Sequence, residues 1–163
     1  HINKSLNWSQ NCSIFTRNTK KKTIIVPVKK TTNKRVKAAE KIAVQQIHTD
    51  ENELKCITDA MLEKKAQAVC SMDLRKIGTA ITDHFVICNA DSAPQVIAIA
   101  DNVEEKMYTQ CNRKVIRSQG KENAFWIIMD YSNIVIHIFK TEYRQFYRLE
   151  ELWADAEKTN YQD

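Results

Sequence analysis

The stretch FWIIMDYSNIVIHIF, residues 125–139, decides the fold, because two apolar runs flank a short polar connection. Ser132 and Asn133 form that connection, and Asn tolerates the positive φ that a two-residue hairpin turn requires. The turn predicts two antiparallel strands with a defined register. The residues predicted to face each other are Tyr131 and Ile134, Asp130 and Val135, Ile128 and His137, and Trp126 and Phe139.

Side chains alternate between the two faces of such a hairpin. One face is aliphatic apart from a single phenylalanine and is predicted to be core: Phe125, Ile127, Met129, Ile134, Ile136 and Ile138. The other face mixes aromatic, acidic and imidazole groups: Trp126, Ile128, Asp130, Val135, His137 and Phe139. Aromatic anchors beside a few polar groups are typical of protein interfaces. A helix that covers this face, with His137 hydrogen-bonded to a neighbour such as Asp130, explains the pattern equally well, so both interpretations remain open at this point.

Apolar periodicity predicts the order α-β-β-α-β-β-β-α from residue 50 onward. The run HFVICNA, residues 84–90, is typical of a strand that is covered on both faces. Ser92 and Gln95 predict the start of the second helix. Residues 142–156, EYRQFYRLEELWADA, predict one last helix, whose aromatic side chains are expected mostly in the core. The predicted fold class is α+β, with a mixed sheet of about five strands flanked by helices.

Charge divides the chain into two parts. Residues 1–50 carry eleven Lys or Arg and two acidic residues, whereas residues 51–163 carry fourteen and eighteen. The first part is a candidate for contact with nucleic acid, or else a solvated extension. We therefore predict that residues 1–49 form a basic, disordered or non-native extension and that residues 50–163 form the functional domain. Because the first methionine is Met61, inside the first predicted helix, we expect either a non-Met start upstream or a fragment; a mitochondrial transit peptide is the weaker alternative.

The cysteine spacing predicts reduced thiols, because five is an odd number and no CxxC pair or zinc-type spacing occurs. No run of eighteen apolar residues suggests a membrane span. We therefore expect neither a metal, nor a cofactor, nor a membrane partner.

Catalytic patterns are weak. Candidate nucleophiles for His137 lack a recognisable context: Ser92, Ser132 and Cys88. With two glycines, Gly78 and Gly120, the chain has neither a P-loop nor a dinucleotide motif. The segment GTAITDHFVI resembles the nucleotidyltransferase strand in outline, but Asp83 is followed two residues later by Phe85, so the second carboxylate of a two-metal site is missing. The chain is therefore predicted not to be an enzyme.

Three stretches in order resemble the ribosomal silencing factor family, also called Iojap-like proteins. They are ITDHFVICNADSAPQVIAIADNVEEKM (81–107), FWIIMDYSNIVIHIF (125–139) and EYRQFYRLEELWADA (142–156). The resemblance covers about residues 53–157. Two positions depart from the family pattern: His84 stands where the family usually has Tyr, and Ser132-Asn133 where it has Gly-Asp.

The resemblance implies a nucleotidyltransferase-like fold without catalytic carboxylates, and binding to the fourteenth protein of the large ribosomal subunit. It implies a translational repressor that sterically blocks association with the small subunit, acting in the bacterial cytoplasm rather than in an organelle, and either monomeric or homodimeric off the ribosome. The alternatives are a large-subunit assembly factor, an RNA-binding module whose basic tail contacts ribosomal RNA, and a degenerate nucleotidyltransferase. The predicted partner-binding residues are Trp126, Asp130, His137 and Phe139, with Tyr131 at the rim.

Overall fold

The computed structural model describes residues 50–162, so the predicted extension over residues 1–49 lies outside the described residues. The strands are β1 (Gln67–Asp73), β2 (His84–Ala90), β3 (Arg117–Gln119), β4 (Trp126–Asp130), β5 (Ile134–Lys140) and β6 (Glu157–Tyr161). The helices are α1 (helical over 50–63), α2 (Ala93–Cys111), α3 (Thr141–Tyr147) and α4 (Leu149–Leu152). Within this described part, no helix is both long enough and apolar enough to cross a bilayer.

The strands form one mixed sheet in the order β3-β4-β5-β2-β1-β6. Strands β2 and β5 pair in parallel at its centre, and the other neighbours are antiparallel. The main core lies between one face of this sheet and helices α1 and α2, where Ile57, Met61, Ile99 and Val103 are fully buried. The aromatic side chains of the C-terminal segment pack against the opposite face. The predicted α+β class with helices on a mixed sheet is confirmed.

The central sequence predictions hold at the level of register. Trp126 pairs with Phe139 and Ile128 with His137, as the two-residue turn requires. The positive φ of the tight turn falls on Ser132, at 78°, and not on Asn133 as the sequence suggested. Every residue of β2 is buried, and Ser92 caps α2 by accepting a hydrogen bond from the Gln95 amide.

The predicted last helix is wrong. Its residues form two short helices separated by Arg148, whose φ of 48° is left-handed. This break turns the chain so that Glu150 of α4 reaches back to Arg144 of α3. The following residues then add β6 to the edge of β1, so the sheet has six strands rather than about five.

The predicted core face of the hairpin is correct for five of its six members, which are fully buried: Ile127, Met129, Ile134, Ile136 and Ile138. Phe125 is the exception, because it lies before β4 begins and is 39% exposed. Its ring stacks on Tyr143 of α3 instead, with the ring centroids 4.6 Å apart.

Candidate partner-binding surface

The β5 half of the mixed face is covered in this structure, whereas Trp126, Ile128 and Asp130 of β4 are half-buried. Phe139 is fully buried, His137 is 1% exposed and Val135 is 2% exposed. The cover comes from the C-terminal segment: Tyr147 packs on Trp126 with ring centroids 5.0 Å apart, and Trp153 meets Phe85 edge to face at 5.5 Å. Of the two interpretations left open by the sequence, the covered face is observed for β5 only.

His137 is held by aromatic neighbours rather than by an acid. The indole Nε1 of Trp126 donates a hydrogen bond to its Nδ1 at 3.2 Å, and Phe85 meets the ring edge to face at 4.8 Å. Burial lowers the pKa of His137 to about 3, opposed only in part by the negative charge of Glu150. The ring is therefore neutral at pH 7, and it is a poor general base because an efficient one needs a pKa near the working pH.

Above this buried layer lies a group of contacting rings that we call the aromatic ledge (Phe125, Trp126, Tyr143, Phe146 and Tyr147). Phe125 and Phe146 are exposed, and the other three rings are half-buried. The rings contact one another in sequence, with Phe125 stacked on Tyr143 and Phe146 edge to face on Tyr147 at 5.2 Å. Phe146 is 73% exposed and projects from α3, which buries none of its residues. Large apolar side chains left in water as a contiguous group are typical of interaction surfaces.

The polar contacts of Arg144, which we call the clamp, fix α3 to the sheet. The Arg144 guanidinium donates to the Ala68 carbonyl at 2.7 Å and to Asn89 Oδ1 at 2.8 Å. It also pairs with Glu150 of α4 at 2.5 Å. Burial alone would raise the pKa of Glu150, but the hydrogen bond and positive charge of Arg144 outweigh it and hold the pKa below its usual range. Both ends of the ion pair are therefore anchored, which positions the helices that carry the ledge.

The five predicted contact residues divide between surface and interior. Trp126 and Asp130 are half-buried and reach the surface. His137 and Phe139 lie beneath Trp126, so they support it but are not exposed themselves. The predicted rim position of Tyr131 is wrong: the residue is fully buried on the core face, where burial also raises the pKa of its hydroxyl.

Sequence reasoning missed the most exposed ring of the ledge. Phe146 was assigned to a helix expected to be mostly core, because its spacing suits one face of a long helix. No local pattern marks Phe146 as exposed, because its exposure depends on where the chain breaks at Arg148 between the two short helices.

The opposite end of the hairpin carries a polar cluster. Asn133 Nδ2 donates to Asp50 Oδ1 at 2.7 Å and to Glu53 Oε2 at 3.2 Å. Arg113 pairs with Glu53 at 3.2 Å and donates to the Tyr131 carbonyl at 2.6 Å. Asp50 is the first helical residue of α1, and its contact with Asn133 fixes the β4–β5 turn. Across residues 50–162, no group of three or more His, Cys, Asp or Glu is arranged to hold a metal ion.

Comparison with known proteins gives a consistent result. The family model described as "Ribosomal silencing factor during starvation" matches residues 46–163. Ribosomal silencing factor RsfS of Halalkalibacterium halodurans is 35% identical over 103 residues, which cover 63% of this chain and 86% of that protein. Mitochondrial assembly of ribosomal large subunit protein 1 of Mus musculus is 32% identical over 76 residues, covering 45% of this chain and 33% of that protein.

The fold agrees with these sequence matches. A crystal structure of a Bacillus halodurans protein superposes with a TM-score of 0.57 and 32% identity, covering 63% of this chain and 94% of that one. The resemblance inferred from the three sequence stretches is confirmed. The chain therefore belongs to the ribosomal silencing factor family.

Proposed function

We propose that this chain represses translation by binding the large ribosomal subunit through its fourteenth protein, which keeps the small subunit from joining. Family membership supports the ribosome as its target, because the bacterial relatives carry the name ribosomal silencing factor. The choice of the fourteenth protein follows from the family resemblance. A protein that blocks subunit joining sterically requires a docking surface and enough volume to exclude the small subunit. It requires no catalytic step. The bacterial cytoplasm is where we place this action.

The aromatic ledge is the observation that carries the proposal. A stable protein interface buries about 800 Å² on each partner and concentrates its binding energy in a few aromatic anchors. Phe146 and Phe125 present such anchors, at 73% and 39% exposure. Trp126 stands at the inner edge of the ledge, backed by Phe139 at a ring distance of 4.9 Å.

Asp130 adds a fixed polar group to the mixed face. Its Oδ1 accepts a hydrogen bond from the Ser132 amide at 2.8 Å, so the carboxylate is preorganised rather than free to rotate. A fixed carboxylate on the same strand face as Trp126 suits a basic partner protein. We therefore propose Trp126 and Asp130, together with Phe125 and Phe146, as direct contacts, with His137 and Phe139 as their support.

Sedimentation of ribosomal particles tests the proposal. The full chain is mixed with purified large subunits, small subunits are added, and the particles are separated on a gradient. We expect the chain to travel with the large subunit and the joined-particle peak to fall. If no binding occurs, the proposal is rejected.

Two substitutions locate the contact. Phe146→Ala should weaken binding by about 30-fold, which corresponds to about 2 kcal/mol for a hot-spot residue. Ile116→Ala is the matched control, because Ile116 is 67% exposed yet lies just before β3, outside the ledge. Equal affinity in both variants would assign the contact to another surface.

A second function, assembly of the large subunit, is favoured by the name of the Mus musculus relative. It predicts binding in the same gradient without any fall in the joined peak. It also predicts that immature large-subunit particles accumulate when the gene is deleted.

A further inference from the structure

Two thiols lie together at the junction of helices α1 and α2, away from the aromatic ledge. Cys56 belongs to α1 and is 7% exposed, whereas Cys111 is the last residue of α2 and is partly exposed. Cys111 packs against the core cluster that contains Cys56, and it is close enough to raise the pKa of that thiol. The Cys56 thiol also donates to Gln110 Oε1 at 3.6 Å.

Contacts on both sides hold this pair in place. Toward one end, Asn102 of α2 donates to the Ala60 carbonyl at 2.7 Å and to Glu63 at 3.1 Å. Toward the other end, Arg113 pairs with Glu53 at 3.2 Å. The two helices therefore run antiparallel, and Cys56 faces the end of α2 between two fixed points.

We propose that Cys56 and Cys111 form a disulfide when the protein meets a low-molecular-weight disulfide such as glutathione disulfide. The bond would staple α1 to the end of α2. Cys111 is the last residue of α2, and the amides of Asn112 and Arg113 both donate to the Met107 carbonyl, so the helix end that carries Cys111 is fixed beside Cys56. The adjacent Arg113 holds the β4–β5 turn, so the staple tightens the support of the hairpin.

The reaction proceeds in two exchanges. The accessible Cys111 thiolate attacks one sulfur of glutathione disulfide, forming a mixed disulfide and releasing one glutathione thiol. The Cys56 thiolate then attacks Cys111 Sγ and releases the second glutathione thiol. Two electrons pass to glutathione disulfide, and the two cysteine protons end on the released glutathione molecules.

The order of the steps follows from the surroundings of Cys56. Burial, and then the hydrogen bond and charge of Cys111, raise the pKa of Cys56 to about 12. Cys56 is thus a poor first nucleophile. The two contributions from Cys111 disappear once that sulfur is in a mixed disulfide, which eases the second exchange.

The test uses the full chain carrying Cys12→Ser, so that the remaining thiols all belong to the described part. The folded protein is treated with glutathione disulfide, denatured, alkylated with N-ethylmaleimide, and examined by intact mass and peptide mapping. We expect a product with two fewer alkylated thiols, no retained glutathione, and one peptide pair linked through Cys56 and Cys111. Its Tm should rise by about 5 °C or more over the reduced form, because the link restricts the unfolded chain.

Single substitutions separate this pair from the other cysteines. In Cys56→Ser, Cys111 should retain glutathione as a stable mixed disulfide, and in Cys111→Ser no linked peptide should form. Cys70 and Cys88 are fully buried in the sheet and serve as internal controls that remain alkylatable after denaturation. Retained glutathione on Cys111 in the unsubstituted pair, or links to Cys70 or Cys88, would overturn the proposal.

Discussion

At the scale of single residues, His137 makes the fold sensitive to acid. Its folded-state pKa of about 3 lies below the value near 6.5 of an exposed histidine, because burial penalises the charged ring. As the pH falls below about 6.5, the unfolded chain therefore binds a proton that the folded chain does not. The free energy of unfolding should fall by about 1.4 kcal/mol per pH unit from this group alone, until the pH approaches 3.

His137→Leu removes this titration. Between pH 7 and pH 5, the unsubstituted chain should lose about 2 kcal/mol of stability that the variant does not lose. Urea denaturation of both chains at the two pH values measures the difference. Burial also lowers the pKa of His84, but that residue is present in both chains, so its contribution cancels. Parallel pH profiles of the two chains would mean that His137 takes up its proton at the same pH in the folded and the unfolded chain.

Gly120 is the second residue whose surroundings permit a sharp prediction. It has φ +91°, and a Cβ there would lie 2.0 Å from the Trp126 carbonyl oxygen. Gly120→Ala should therefore cost about 2 kcal/mol or more, since both the backbone conformation and the contact are unfavourable. Gly78→Ala is the control, because a Cβ at Gly78 meets nothing within 4 Å and stability should change by less than about 0.5 kcal/mol. Thermal unfolding of the two variants compares them directly, and equal melting temperatures would contradict the clash.

At the scale of elements, the strands were more predictable than the C-terminal helices. Strand β2 and the β4–β5 hairpin follow from local information, namely continuous apolar runs and one Asn-containing turn. The break at Arg148 comes with a contact between Arg144 and Glu150, and helical periodicity encodes neither of them. Strand β6 depends on the free edge of β1, which exists only after the sheet has assembled.

The residues of the candidate surface were likewise predictable only where local pattern decides their position. Alternation places Tyr131 on the face of Ile127 and Met129, so its burial was available from the sequence, and the predicted rim position ignored that parity. The burial of His137 was not available, because it depends on Tyr147 and Trp153 folding back over the hairpin. The exposure of Phe146 depends on the same fold-back.

The clamp between the short helices and the sheet gives a prediction for these elements. Arg144→Leu removes the donor to Asn89 Oδ1 and to the Ala68 carbonyl, and it leaves Glu150 with the longer contact to Lys158 at 3.5 Å. Because the Arg144 side chain is only 12% exposed, the free energy of unfolding should fall by about 2 kcal/mol.

The neighbouring pair of Arg148 and Glu151 supplies the control. Both of its side chains are more than half exposed, at 66% and 60%, so Arg148→Leu should change stability by less than about 0.5 kcal/mol. Urea denaturation in the same buffer compares the two variants. A similar loss in both would mean that the clamp contributes no more than a surface ion pair.

At the scale of the whole molecule, charge and docking are separated along the chain. Residues 51–163 are acidic overall, with fourteen Lys or Arg against eighteen acids, and they carry the aromatic ledge. The basic residues are concentrated in residues 1–50, whose contact with ribosomal RNA stays a prediction from sequence. The two parts therefore imply two different contributions to ribosome binding: apolar contacts that salt barely affects, and phosphate contacts that salt weakens.

Removing part of the tail's positive charge tests whether the tail and the ledge contribute separately to binding. Five lysines at positions 20–22 and 29–30 are changed to Gln in the full chain, and the affinity for purified large subunits is measured over a series of salt concentrations. If all five lysines contact phosphates, the slope of log affinity against log salt should become shallower by about 3.5 to 4.5. Phe146→Ala should instead lower the affinity at every salt concentration and leave the slope unchanged, because it removes an uncharged contact. Equal slopes for the unsubstituted chain and the five-lysine variant would mean that these five lysines do not contact RNA phosphates.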